Sequence, residues 1–225
     1  MKTGGIFRKG IKMELIGKRV YFLGDSITFG VGPSDNSRIY HSLLGERFGF
    51  EAFNFGMSGS RIARREEPIY DVLDKMPFCL RIEDIPDDCD LLVIFGGTND
   101  FGGAVPLRGR EGTDDLYTFT GALRHLLARA GERFPSAKTV FLSPFPRSAA
   151  KTVRGFRGSP LDGYVSVIYD TCREFSVPVC DLYKLVPVRP DEAEDRERYL
   201  PDGLHPNDAG HEIIADILGD FLKKL

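Results

Sequence analysis

The sequence lacks a long apolar run, and its positive and negative charges nearly balance. No stretch approaches the roughly 18 consecutive apolar residues of a transmembrane helix, and the basic N-terminus has no apolar core of signal-peptide type. We therefore expect a cytoplasmic protein with no membrane partner. The formal charge of -3, from 30 basic and 33 acidic residues, gives no reason to expect nucleic acid as a partner.

Cysteine is scarce, and its spacing excludes two common uses. No CxxC motif and no paired Cys/His spacing occurs, so neither a zinc site nor a disulfide framework is indicated. We expect reduced and mostly buried thiols at the four positions, which are Cys79, Cys89, Cys172 and Cys180.

The length favours a single domain. A chain of 225 residues suits one α/β domain with a substantial core, and no internal repeat or low-complexity segment is present. Met13 lies just before the first strand pattern. We therefore expect residues 1–17 to form an N-terminal extension and residues 18–225 to form one domain.

Short apolar runs alternate with helical patterns. The predicted strands are 20–23, 52–55, 91–95, 140–142 and 177–182. The predicted helices are 38–48, 114–134, one that opens at 159–160, one that begins near 207 and, on a weaker pattern, 61–76. The run LLVIF at 91–95 shows no polar alternation, which is typical of a strand covered on both faces. The alternation predicts a three-layer α/β/α fold with a parallel sheet of about five strands.

Small and polar residues follow the predicted strands. GDS at 24–26 follows the first run, NFGMSG at 54–59 ends the second, and GGTND at 96–100 follows the third. DGLHP at 202–206 precedes the last helix. Ligands of open parallel sheets bind outside the carboxyl ends of the strands, so we expect these segments to meet at one edge.

Ser26, His205 and Asp202 are suited to nucleophilic catalysis. A serine hydroxyl is a poor nucleophile unless a base takes its proton, and a carboxylate improves that base by fixing its tautomer. Pro206 disfavours helical backbone at His205, which favours a loop that directs the imidazole toward the sheet edge. Asp202 can then reach Nδ1 of His205 and leave Nε2 for Ser26.

Attack on an ester also requires hydrogen-bond donors for the developing oxyanion. The amide of Gly59, the side chain of Asn99 and the amide of Ser26 are candidates. Taken alone, Ser26 could cap a helix, Asn99 could form a turn and Gly59 could occupy a left-handed position. The complete set favours catalysis.

Four segments resemble, in order, the sequence blocks of the SGNH hydrolases, which are also called GDSL esterases and lipases. They are GDSI at 24–27, NFGMSG at 54–59, GTND at 97–100 and DGLH at 202–205. The resemblance implies a flavodoxin-like α/β/α fold and ester hydrolysis through an acyl-enzyme, without a metal or an organic cofactor. Ile27 replaces the leucine of the family's name, which affects no catalytic group.

The resemblance also implies a role for each candidate residue. Ser26 would be the nucleophile and one oxyanion donor, and Gly59 and Asn99 would be the other two donors. His205 would be the base and Asp202 its orienter. Residues 18–225 would then be a single catalytic domain of this type.

We expect a serine-dependent hydrolase of short acyl esters, such as acetylated carbohydrates or small metabolites, with a small-molecule ester as its partner. Acyl transfer on the same triad is a close variant, because only the acceptor differs. The competing class is a non-catalytic flavodoxin-like module whose GDSITFG loop binds phosphate or flavin. That loop lacks the lysine of GxxxxGK[ST]. The interpretation as a binding module also gives Asp202 and His205 no role. The sequence does not predict the oligomeric state.

The remaining titratable residues near these segments are predicted to be structural. Asp25 and Asp100 are expected to hold their loops by accepting hydrogen bonds from backbone amides. His41, His125 and His211 fall within helical patterns and are expected at surface or boundary positions.

A basic loop at 144–158 follows the fourth predicted strand and is expected to overhang the site. Its cationic residues are Arg147, Lys151, Arg154 and Arg157. A solvated charged face is the simpler interpretation of this loop. The sharper hypothesis is that it selects anionic or polyhydroxylated substrates.

Overall fold

The computed structural model describes residues 14–65, 76–108, 115–151 and 160–225. Within these residues, no helix combines the length and the apolar character needed to cross a bilayer. The predicted cysteine state agrees with the structure: all four thiols are free, and Cys79, Cys172 and Cys180 are buried.

Five parallel strands form the central sheet, in the order β2-β1-β3-β4-β5. They are β1 (Arg19–Gly24), β2 (Glu51–Gly56), β3 (Leu91–Phe95), β4 (Lys138–Leu142) and β5 (Val179–Cys180). The three-layer α/β/α fold predicted from the sequence is confirmed. The last strand is shorter than predicted, because Leu182 already begins a helix and Pro178 has no N–H for the ladder.

Helices connect the strands and cover both faces of the sheet. They are α1 (Ser26–Phe29), α2 (Tyr40–Phe48), α3 (Phe78–Arg81), α4 (Thr98–Gly102), α5 (Phe119–Arg133), α6 (Leu161–Glu174), α7 (Leu182–Leu185), α8 (Ala193–Tyr199) and α9 (Asp208–Leu222). Short 3-10 turns occur at Asn36–Arg38, Ile82–Asp84 and Ala149–Lys151.

The ends of the long helices follow from local sequence. Gly49 ends α2 in the left-handed conformation, with a φ of 70°. Thr118 caps α5 by accepting a hydrogen bond from the Gly121 amide, and Asn207 caps α9 in the same way with Gly210.

The central strands are buried on both faces, which explains why their sequences do not alternate. Phe22 of β1 belongs to one apolar core, which packs against α2 and α9. The next residue, Leu23, belongs to a second core, which packs against α3, α5 and α6. All five residues of β3 are at most 2% exposed.

The prediction of a helix over 61–76 is wrong where the structure can be compared with it. Residues 61–65 form bends and irregular backbone, and residues 66–75 lie outside the described residues. The physical reason is that carbonyls a helix would need here pair elsewhere: those of Arg61 and Ile62 accept from the amides of Phe78 and Cys79. The amides of Ile62 and Ala63 donate to the carboxylate of Asp100 in α4.

Gly56 allows the end of β2 to approach the backbone of α1. A Cβ at this position would lie 2.1 Å from the Phe29 amide nitrogen, which belongs to the helix that begins at Ser26. We expect Gly56→Ala to lower the free energy of unfolding by about 1–3 kcal/mol, because backbone must shift to admit the methyl group. Chemical denaturation measures this change.

Gly131 provides the matched control for this substitution. It lies within α5, and nothing lies within 4 Å of a Cβ built there. Gly131→Ala should be neutral or stabilising by up to about 1 kcal/mol, because alanine favours the helix. Equal stability of Gly56→Ala and the wild type would contradict the packing described here.

Candidate active site

Ser26 lies at a tight turn between β1 and α1. The Asp25 side chain accepts a hydrogen bond from the Ile27 amide at 3.0 Å and so caps the helix that begins at Ser26. Gly24 permits the sharp turn, since a Cβ there would lie 2.0 Å from the Thr28 hydroxyl oxygen. The turn fixes the position of Ser26 at the carboxyl end of β1.

His205 and Asp202 lie on one loop and form a hydrogen-bonded line with Ser26. His205 Nδ1 is 2.7 Å from Asp202 Oδ2, and His205 Nε2 is 3.0 Å from Ser26 Oγ. Because a carboxylate can only accept, Nδ1 carries the proton and Nε2 accepts from the Ser26 hydroxyl. This is the arrangement that activates a serine nucleophile.

Backbone amides fix the Asp202 carboxylate. Its Oδ1 accepts hydrogen bonds from the His205 amide at 2.7 Å and from the Leu204 amide at 2.9 Å. Burial raises the pKa of Asp202, but these amides and the His205 ring together outweigh burial and hold the pKa at about 2. Asp202 is therefore ionised at neutral pH.

The two other candidate oxyanion donors lie on either side of Ser26. Gly59 follows β2, Asn99 lies in α4 just after β3, and β1 runs between these two strands. Gly59 has a φ of 75°, a left-handed conformation that favours glycine. Asn99 Nδ2 donates one hydrogen to the Ser60 carbonyl at 3.0 Å. Its second hydrogen has no acceptor among the described residues and can donate to an oxyanion.

Two buried carboxylates stabilise the loops around the site, as predicted. Asp100 is 0% exposed and accepts from the amides of Ile62 and Ala63, both at 2.9 Å. Burial raises the pKa of Asp100 to about 6, against the lowering effect of these amides. Burial likewise raises the pKa of Asp25 to about 7, against the hydrogen bond from Ile27.

The described part of the basic loop contacts two of the other loops. Arg147 Nη1 donates to the Thr98 carbonyl at 3.0 Å, next to Asn99. The Ser148 amide donates to the Gly203 carbonyl at 2.8 Å, and Lys151 Nζ lies 3.9 Å from Asp202 Oδ2. The predicted residues Arg154 and Arg157 lie outside the described residues.

The prediction that His41 and His211 are surface or boundary residues is wrong. His41 is 4% exposed and donates to the Thr28 carbonyl at 3.2 Å, whereas His211 is 0% exposed and accepts from the Tyr40 amide at 3.1 Å. Burial lowers the pKa of His41 to about 4 and that of His211 to about 3. The i, i+3, i+4, i+7 spacing of His211 with Ile214, Ala215 and Leu218 was the signal for burial. His125 lies at a boundary position, as predicted.

No cluster of three or more His, Cys, Asp or Glu side chains suited to a metal ion occurs in the described part of the chain. The candidate site instead consists of a hydroxyl, an imidazole, a carboxylate and amide donors. These groups can transfer a proton, attack a carbonyl carbon and bind an oxyanion.

Asp25 makes stability depend on pH in a direction that can be tested. Its folded-state pKa of about 7 lies above the usual value of 3.8, so the native state holds the proton more tightly than the unfolded chain. The wild type should therefore lose stability relative to Asp25→Asn as the pH rises from about 4 to about 7. Urea denaturation of both proteins across this range measures the difference.

Asparagine keeps the oxygen that accepts from Ile27, so the helix cap is preserved in this variant. The Asp202 contribution has the opposite sign and is common to both proteins, so it cancels in the comparison. A stability difference that does not change with pH would contradict the raised pKa of Asp25.

The chain is similar in sequence to proteins of one known family. The model of the GDSL-like lipase/acylhydrolase family matches residues 22–213. An acetylxylan esterase from Xylanibacter ruminicola is 24% identical over 221 residues, which cover 91% of this chain and 43% of that protein. The chain thus spans less than half the length of this curated relative.

Solved structures share the fold over nearly the whole chain. A protein from Lactobacillus plantarum has a TM-score of 0.77 and 32% identity, with coverage of 93% of this chain and 98% of that one. A carbohydrate acetylesterase family member from Sinorhizobium meliloti has a TM-score of 0.64 and 18% identity, with coverage of 92% and 100%. Since the family model spans most of the sequence, the chain belongs to the GDSL-like lipase/acylhydrolase family, a family of ester hydrolases.

Proposed function

We propose that this protein hydrolyses carboxylic esters through an acyl-enzyme formed on Ser26. The observation that carries the proposal is the continuous hydrogen-bonded line from Ser26 Oγ to His205 and on to Asp202, at 3.0 and 2.7 Å. The binding of phosphate or flavin would not require hydrogen bonds between Ser26, His205 and Asp202. The geometry therefore favours ester chemistry over the competing class.

The first half of the reaction forms the acyl-enzyme. His205 Nε2 takes the hydroxyl proton of Ser26 while Oγ attacks the carbonyl carbon of the ester. The tetrahedral intermediate then collapses, and the imidazolium returns this proton to the leaving alcohol. Asp202, ionised because its pKa is about 2, stabilises the imidazolium and keeps the ring in the required tautomer.

The second half of the reaction releases the acid. A water molecule gives a proton to His205 Nε2 and attacks the acyl carbon, after which the proton returns to Ser26 Oγ as the ester bond breaks. Acyl transfer would follow the same steps with an alcohol in place of water.

Three donors would stabilise the oxyanion in both halves of the reaction. They are the amide of Ser26, the amide of Gly59 and the second Nδ2 hydrogen of Asn99. The Ser26 amide opens α1, where the first N–H groups have no partner within the helix. A donor of this kind typically lowers the barrier by about 2.7–4 kcal/mol.

We propose short acyl esters as substrates, such as acetylated carbohydrates or small metabolites. Support comes from the relatives, one of which is an acetylxylan esterase and another a carbohydrate acetylesterase family member. A panel of esters that vary in acyl length and alcohol, compared between the wild type and Ser26→Ala, tests this proposal.

Ser26→Ala should reduce kcat by at least about 10³-fold, because it removes the nucleophile. It should also abolish labelling by a fluorophosphonate probe. Ser136→Ala is the matched control, because Ser136 is exposed near the end of α5, at the opposite edge of the sheet. Persistent labelling of Ser26→Ala would overturn the assignment of the nucleophile.

Asp202→Asn should reduce kcat by about 10²- to 10⁴-fold and leave KM nearly unchanged. The amide no longer selects the tautomer that presents Nε2 as an acceptor to Ser26, and it does not stabilise the imidazolium. Steady-state kinetics on an activated acetyl ester measure both parameters. A fall in kcat smaller than tenfold would argue against Asp202 as the orienter.

A further inference from the structure

Arg81 is a buried arginine that binds backbone at the carboxyl ends of two strands. It is the last residue of α3 and is 7% exposed. Its guanidinium lies at the carboxyl ends of β1 and β2. Nη1 donates to the Gly24 carbonyl at 3.1 Å and to the Ser60 hydroxyl at 3.2 Å, and Nη2 donates to the Phe55 carbonyl. One side chain thus joins the end of β1 to the end of β2 and to the loop that follows it.

Two of these three acceptors, the Gly24 carbonyl and the Ser60 hydroxyl, belong to residues close to candidate oxyanion donors. The Gly24 carbonyl lies in the turn that leads to Ser26 and also accepts from the Met57 amide at 3.0 Å. Ser60 is the residue after Gly59, and its own carbonyl accepts from Asn99 Nδ2 at 3.0 Å. Ser26 therefore lies two residues after one acceptor of Arg81, and Gly59 lies next to another. Asn99 is connected to Arg81 through its hydrogen bond to Ser60.

The chemistry of arginine suits this position. A planar guanidinium has five donors in a fixed arrangement, whereas a lysine ammonium is a point charge on a flexible stem. Burial lowers the pKa of Arg81 to about 10, against the opposing effect of Asp25, so the group remains charged at neutral pH. A buried charge is costly to desolvate, and here its hydrogen bonds go to two strand-end carbonyls and to the Ser60 hydroxyl.

We propose that Arg81 is a positioning residue for the oxyanion hole, which fixes the relative positions of Ser26, Gly59 and Asn99 through Gly24, Phe55 and Ser60. The inference rests on the proposed function of this site. Arg81 itself does not touch the reacting atoms. Because oxyanion stabilisation depends on donors held within a few tenths of an ångström, loosening the loops should affect the transition state more than substrate binding.

Arg133 provides the control, because it is a partly buried arginine that also donates to backbone carbonyls, and it pairs in addition with Asp87. Its Nη1 donates to the Ile82 carbonyl at 2.6 Å and its Nη2 to the Ile85 carbonyl at 2.7 Å, and its side chain is 15% exposed. It lies at the end of α5, near the opposite edge of the sheet, where β4 begins. Its loss should reduce stability and leave the site intact.

The first test compares Arg81→Met and Arg81→Lys with Arg133→Met on an activated acetyl ester. Arg81→Met should lower kcat by about 10- to 100-fold with KM changed less than about threefold, as expected for misplaced catalytic groups. Arg81→Lys should recover part of this loss, because an ammonium can replace some of the bonds. Arg133→Met should lower the melting temperature without lowering kcat. Equal kcat values for Arg81→Met and Arg133→Met would overturn the proposal.

A double-mutant cycle with Asn99→Ala separates positioning from general destabilisation. If Arg81 acts through the oxyanion donors, Arg81→Met should reduce kcat less in the Asn99→Ala background than in the wild type. Fully additive losses would show that the two residues act independently and would overturn the proposal.

Ser60→Ala provides a second route if Arg81→Met does not fold. It removes one acceptor of Arg81 and keeps the carbonyl that holds Asn99. A fall in kcat of about 2- to 10-fold is expected, which is smaller than the fall caused by loss of a whole oxyanion donor. An unchanged kcat in both Ser60→Ala and Arg81→Lys would contradict the proposal. Activity that persists in Ser26→Ala would instead contradict the proposed function, so the two failures can be distinguished.

Discussion

The register of three adjacent parallel strands determines where the candidate catalytic groups lie. Gly24, the last residue of β1, pairs with Gly56 of β2 and with Phe95 of β3, so the three strands end at the same level. The segments that follow them carry Ser26, Gly59 and Asn99. The fourth group, His205, comes from the loop before α9 and reaches the edge that the strands define.

The strand-end loops also leave backbone groups that helix and sheet do not satisfy. Buried side chains bind many of these groups: Asp100 accepts from two amides, Asp25 accepts from one, and Arg81 donates to two carbonyls. Each of these ionisable groups is buried, which is unfavourable for its charged form unless hydrogen bonds compensate. The segments that would stabilise the reaction thus depend on a buried layer of ionisable groups.

Much of the fold could be predicted because strands buried on both faces appear as uninterrupted apolar runs. β3 was predicted with its observed bounds, whereas β5 was overestimated because an apolar run continued into α7. The candidate site could be predicted as a set of strand-end residues because parallel strands bring such residues together. Its roles, the domain boundaries at 18–225 and the cytoplasmic location stay predictions.

Arg81, unlike Asp25 and Asp100, was not predicted to support the site. Arg81 lies in the sequence FCLRI, between apolar residues that become buried, and this context was its only local signal. Its partners are two strand-end carbonyls and a hydroxyl that are distant in sequence, so no short-range pattern identifies them. His41 and His211 were missed for a related reason, since their partners are a carbonyl of α1 and the amide of Tyr40.

The spacing of the three residues in the hydrogen-bonded line has a consequence for folding. Asp202 and His205 are separated by three positions, so their contact closes only a short loop and can form locally. The contact between His205 and Ser26 spans 179 positions and requires most of the domain to be assembled. The hydroxyl of Ser26 therefore acquires its acceptor only when β1 and the loop before α9 are both in place, so the complete hydrogen-bonded line depends on the assembled domain.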